Sequence, residues 1–120
     1  MTCPTMKAMP IVSPKWKIDF WYAQQFVGFL TKLQGIKDTD GNSLLHNSMI
    51  GYGSGNADGN QHTHPSLPIV LAGGGGGPLS PAGYAKYTST PACNLFLSLA
   101  DRMGLKHLER FGDSTGRLTI

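Results

Sequence analysis

Pro68-Ile69-Val70-Leu71-Ala72, running directly into the five glycines Gly73 to Gly77, is the stretch that decides the fold. Its apolar run has no polar alternation and stops at glycine. That pattern predicts a short strand buried on both faces, as in a parallel sheet covered by helices. Upstream, Ser48-Met49-Ile50-Gly51-Tyr52 predicts a second short strand, which leads into the polar, glycine-rich loop of residues 53–60. A helix is expected on either side. Over residues 18–34, Tyr22, Phe26, Phe29, Leu30 and Leu33 form an apolar stripe, with Gln24, Gln25, Thr31 and Lys32 on the polar face. Asp19 is placed to cap the start of this helix and Gly35 to end it. Over residues 92–103, Leu95, Phe96, Leu99, Ala100 and Met103 fall at core spacing, and Gly104 is the stop. The order helix, strand, loop, strand, helix reads as α/β. Two strands are few for a sheet covered on both sides, so further strands are expected outside this chain.

The remaining segments read as connections. Residues 1–17 are an irregular lead-in, broken by Pro4, Pro10 and Pro14. Asp38 to Asn42 is a turn, and a small hairpin is expected around Pro81-Ala82-Gly83. Beyond Gly112 the tail is turn-like, with Leu118 and Ile120 as docking residues.

Composition narrows the function classes. Charged residues make up 14% of the 120, and the ten basic side chains behind the net charge of +3 are scattered along the chain. Nucleic-acid binding requires them clustered, so it is not expected. No apolar run approaches the length of a membrane span, and the proline-broken lead-in lacks the apolar core of a signal peptide. The two cysteines, Cys3 and Cys93, form no metal or redox motif. Cys93 reads as a small buried side chain, with a disulfide to Cys3 left open.

Asp58, His62 and His64 are the candidate metal ligands. They lie within seven residues, in a loop just beyond a strand, where open α/β sheets place ligands. Two imidazoles and a carboxylate suit zinc, iron or manganese. His62 and His64 would share a face of an extended segment. His46 is a third, weaker candidate. The same histidines also fit a surface role, a brace to backbone carbonyls, or acid–base work. Ser54 lacks the spacing of a nucleophile elbow. Gly73 to Gly77 lacks the phosphate-loop pattern, leaving either a tight turn or an anion held by backbone N–H groups. An Arg102 ion pair would be structural, and Trp16, Trp21 and Tyr22 read as core or helix-packing residues.

Several blocks resemble the DUF1552 family. They are residues 52–64 (Tyr52-Gly53-Ser54-Gly55 through Asp58-Gly59-Asn60-Gln61-His62-Thr63-His64), residues 67–77, residues 94–104, and Phe111-Gly112-Asp113-Ser114-Thr115-Gly116. The resemblance covers residues 18–120 and implies the C-terminal part of an α/β domain from longer, exported bacterial proteins without an established activity. It is similar more distantly to the DUF1501 family and the alkaline phosphatase and sulfatase superfamily. That similarity implies a fragment of an alkaline-phosphatase-like sheet flanked by helices, and a divalent metal, zinc or manganese. His62 matches the histidine of an Asp-His ligand pair; Gln61 stands where the aspartate would be, leaving Asp58 or His64 to replace it. Two functions follow from the resemblance: half the site of a metal-dependent phosphate- or sulfate-ester hydrolase, or a non-catalytic exported protein of the same fold. The implied partner is the N-terminal part of a longer chain, or a second copy. In either case the 120 residues alone are expected to show no turnover.

Overall fold

The computed structural model describes residues 15–79 and 83–120. Cys3, the three lead-in prolines, and Pro81 and Ala82 of the expected hairpin lie outside the described residues. The described part is a small mixed α/β arrangement: α1 (Lys15–Gly35), α2 (Leu44–Asn47), β1 (Ile50–Gly53), β2 (Ile69–Ala72) and α3 (Cys93–Arg102). The helices flank one two-stranded sheet.

α1 starts at Lys15, three residues ahead of the expected start, so Asp19 lies inside the helix and caps nothing. Phe26, Leu30 and Leu33 of the expected stripe are half-buried, and the Phe26 ring stacks on Tyr52 of β1 with centroids 4.5 Å apart. Tyr22 and Phe29 of the same stripe are exposed, and no residue of α1 is fully buried. The other apolar residues of the helix face outward too. Exposure runs from 45% at Trp16 to 60% at Val27, with Ile18, Phe20 and Trp21 between. Of the two roles expected for Trp16, Trp21 and Tyr22, core or helix packing, the first is corrected: none belongs to the core of the described residues. At 3.6 residues per turn these side chains spread well beyond the Phe26, Leu30 and Leu33 side that the rest of the described chain covers, while Lys17, Gln24 and Thr31 keep a polar side.

The turn after α1 is built from its own polar side chains. Asp38 N–H donates to Asn42 O at 2.8 Å, and Gly41 takes the left-handed conformation at φ 84°. The Asn47 amide reaches back to the Asp38 and Asp40 carboxylates at 3.0 and 2.9 Å. These bonds hold the Asp38 carboxyl below its ordinary pKa; at Asp40 the Asn42 backbone N–H does so first and the Asn47 amide second. The Ser43 hydroxyl accepts from His46 N–H at 3.1 Å and caps the single turn of α2.

β1 and β2 pair antiparallel, with Ile50 opposite Ala72 and Gly53 opposite Ile69. The expectation of a parallel strand buried on both faces is overturned. A parallel pair requires a crossover connection, normally a helix, and residues 54–68 contain none. Ile69 and Val70 are exposed, Val70 at 52%. At Gly53 a Cβ would sit 2.7 Å from the Pro68 carbonyl oxygen, so glycine is what allows the returning chain to come this close.

α3 buries a different face from the one its apolar spacing predicts. Leu97 is 1% exposed and lies between buried Asn94 and Ser98, whereas Phe96 and Met103 of the predicted set are exposed, Met103 at 71%. The C-terminal tail docks on that face. Asn94 Oδ1 accepts from Thr115 N–H at 2.8 Å. The Ser98 hydroxyl accepts from Leu118 N–H at 2.7 Å and donates to Leu118 O at 2.9 Å, pairing with the tail as a neighbouring strand would. Arg102 donates to Ile120 O at 2.8 Å, and Arg117 pairs with Asp101. The Arg117 hydrogen bond holds the Asp101 carboxyl below the usual carboxylate range. The ion pair expected at Arg102 is made by Arg117 instead, while Arg102 bonds a backbone carbonyl of the tail.

Candidate functional site

The loop between the strands is a small hairpin in its own right. Ala57 N–H donates to Thr63 O at 2.8 Å, and Asp58 and Thr63 bridge antiparallel. Across its tip, Asp58 Oδ1 accepts from the backbone N–H groups of Asn60 at 2.8 Å and Gln61 at 3.2 Å. Asp58 is therefore an Asx-turn residue with one carboxylate oxygen committed to backbone. Ser54 plays a similar part, its hydroxyl accepting from Asn56 N–H at 3.1 Å.

His64 and His62 stand differently. The His64 Nδ1 lies 2.7 Å from Gly55 O. A carbonyl only accepts, so Nδ1 is the donor in this contact, and Nε2 faces away from the brace. His62 is exposed and left-handed, at φ 51°. That conformation interrupts the extended run needed to put residues two apart on one face, so the expected shared face of His62 and His64 is corrected. The location is corrected as well. The loop joins antiparallel strands, whereas the crevice rule concerns the carboxyl ends of parallel ones. Among the described residues, no three His, Cys, Asp or Glu side chains converge as a metal-binding group. Asp58, His62 and His64 share a loop without forming a joined donor set. His46 lies on α2, ahead of β1 and away from this loop in sequence.

The glycine run is a joint. Gly74, Gly75 and Gly76 N–H groups donate to Leu45, Ser48 and His46 carbonyls at 3.2, 2.9 and 2.9 Å, and Gly77 N–H donates to Gly74 O. These donors satisfy the end of α2 and are not free to hold an anion. Of the two readings open in the sequence, the tight turn is the one observed.

Cys93 is a free thiol whose hydrogen bond to the Asp113 side chain pushes its pKa up, which favours the unreactive protonated form. The sequence reading missed a groove of about 1460 Å³ lined by β2 and by Tyr84, Lys86 and Tyr87 among others. Residues 78–90 carry no periodicity, so nothing in the sequence marked it. No described helix is long and apolar enough to cross a membrane. Comparison of the chain with protein-family models, curated proteins and solved structures found no match.

Proposed function

We propose that this chain is a non-catalytic completing segment of a larger α/β domain of the DUF1552 kind, docking through α1 and its hairpin onto further polypeptide. One observation carries the reading. α1 exposes Trp16, Ile18, Phe20, Trp21 and Val27 outside the face its own chain covers while, among the described residues, Leu79 and Leu97 are the buried hydrophobic core. A helix whose apolar surface is wider than the face its own chain covers has more of it to bury against further polypeptide. Contiguous apolar patches of this kind mark an interaction surface. The loop of residues 54–67 supports the non-catalytic part, because Asp58, Ser54 and His64 each spend a polar atom on the loop's own backbone. Binding of an apolar dye to the chain, with and without the outward residues of α1, tests the docking face.

The His64 geometry favours a second reading, a divalent-metal half-site within a phosphate- or sulfate-ester hydrolase. A histidine whose Nδ1–H is held by a carbonyl presents Nε2 in the manner of a metal ligand with its outer support in place. Under this reading the bound metal would polarise the ester oxygen. Calorimetric titration with zinc and manganese separates the two readings. The completing-segment reading predicts the same weak signal, with a Kd above about 0.1 mM, for the chain and for a His62→Ala/His64→Ala variant. Binding in the micromolar range that is lost in the variant would make the loop a metal half-site.

A further inference from the structure

We propose that residues 111–120 are an exchangeable strap: in a second conformation α3 continues as helix through Arg110, and the strap of each chain seats on α3 of a second copy. This goes beyond the docking face of α1 and uses none of it. The seat and its occupant are both in the structure. Asn94, Ser98 and Arg102, four residues apart on α3, bond Thr115, Leu118 and Ile120 of the strap in turn. Arg117 pairs with Asp101, and the Phe96 and Phe111 rings meet edge to face at 6.1 Å. The strap therefore runs in the same direction as the helix. Residues 103–112 carry the chain back to the helix start, where a Cβ on Gly112 would lie 2.9 Å from Cys93 Sγ.

That return depends on Gly104. It is left-handed, at φ 91°, and its N–H donates to Asp101 O while Leu105 N–H donates to Ala100 O, both at 3.0 Å. This pair of bonds is a glycine helix stop. The next six residues, Leu105-Lys106-His107-Leu108-Glu109-Arg110, hold no glycine or proline. Leucine, lysine, glutamate and arginine are strong helix formers, yet the segment is not helical here. Continued as helix, it would bring Leu105 and Leu108 into line with Leu97 and Asp101, on the face whose Asn94 and Ser98 hold the strap. Lys106 would meet like charge four residues away at Arg102 and Arg110, and Glu109 three residues away offsets part of that. Local preference and observed conformation disagree over these six residues, as they do in a segment with two states.

Chain length fixes the occupant. In the continued helix Arg110 stands about 24 Å beyond Asn94 along the axis. Thr115 is five residues past Arg110, and an extended chain of that length reaches at most about 18 Å. The strap cannot return to its own Asn94, so the seat is filled by the strap of another copy, reciprocally. Contacts between strap and α3 are the same within a chain or between chains. The turn bonds of Gly104, Leu105 and Leu108 give way to helix bonds, and Arg117 gives up its bond to Leu108 O.

The test uses the whole chain with Cys3→Ser and Cys93→Ser, one batch labelled with ¹⁵N and the other carrying a nitroxide on Thr119→Cys. Mixed at about 1 mM, the effective concentration of a segment on a short connection, the two should show cross-chain broadening at the amides of Leu97 to Arg102. Gly104→Ala removes the stop, and its Cβ meets nothing within 4 Å. It should raise the dimer fraction in light scattering at least tenfold and give helical chemical shifts at Leu105 to Arg110. Adding Lys106→Gly and His107→Gly to Gly104→Ala weakens the continued helix and should restore the monomer. A Gly104→Ala chain that stays monomeric, or equal dimer with the two added glycines, overturns the proposal. Absence of cross-chain broadening with the hinge unaltered overturns it too, whether or not the Gly104→Ala chain folds. Association through α1 would leave the α3 amides sharp, so this test and the dye test on α1 fail independently.

Discussion

Leu97→Ala is expected to release the C-terminal tail from α3. Leu97 is the one large side chain among the described residues with under 2% exposure, and it lies between Asn94 and Ser98, which hold the tail. Removing three heavy atoms from such a site costs about 3 kcal/mol, in transfer free energy and in the cavity left behind. The contacts that hold the tail sit one residue after Leu97, on Ser98, and three residues before it, on Asn94. Loss of the side chain therefore loosens helix and tail together. Hydrogen exchange at Thr115 and Leu118 reads this directly, since their N–H groups donate to Asn94 and Ser98. Protection at both should fall about a hundredfold, the equivalent of 3 kcal/mol when local opening governs exchange. Leu97→Val should lose no more than about tenfold. A Leu97→Ala chain with unchanged protection would mean that hydrogen bonds alone hold the tail.

The second large effect is expected at Gly73. Its φ is +99°, and a Cβ placed there would collide with the Ser48 carbonyl, with the Leu45 carbonyl beside it at 3.0 Å. Both obstacles are backbone of the joint between α2 and the hairpin, so neither can rotate aside. Left-handed strain costs a non-glycine residue about 1–3 kcal/mol, and the collision adds to it. Gly76 provides the internal comparison. It is also left-handed, at φ 74°, yet a Cβ there meets nothing within 4 Å. Gly76→Ala should cost about 1 kcal/mol, from conformation alone. Gly73→Ala should cost at least twice that, and should displace the Phe26–Tyr52 stack because β1 shifts with the joint. Aromatic ring resonances of the two variants distinguish them; equal effects would mean that the contact at Ser48 contributes nothing.

What could be read in the sequence, and what could not, follows from which signals are local. Helix α3 and its stop at Gly104 were legible because the spacing and the glycine act within one element. Its buried face was not. Asn94 and Ser98 are buried through hydrogen bonds to a tail some twenty residues away, and apolar periodicity is blind to polar burial. The positions of both strands were legible, their direction was not. An unbroken apolar run signals burial on both faces, but here Ile69 and Val70 are exposed in a two-stranded hairpin. The single turn of α2 left too short a pattern to register, although Ser43 is a good cap. In the loop of residues 54–67 the local bonding of the polar residues was not legible. Asp58 looks like a ligand in the sequence and is a turn former in the structure, because its partners are the N–H groups two and three residues on.

The central claim is that the outward residues of α1 form an unfilled docking face. Fluorescence of an apolar dye, 8-anilinonaphthalene-1-sulfonate, tests it most directly on the chain and on a Trp16→Ser/Phe20→Ser/Val27→Ser variant. These three side chains are 45–60% exposed, so replacing them leaves the buried core of Leu79 and Leu97 in place. The claim predicts several-fold enhancement with the unaltered chain and at least half of it lost in the variant, with the helix signal in circular dichroism retained. Little dye binding by the unaltered chain, or full binding by the variant, would contradict it.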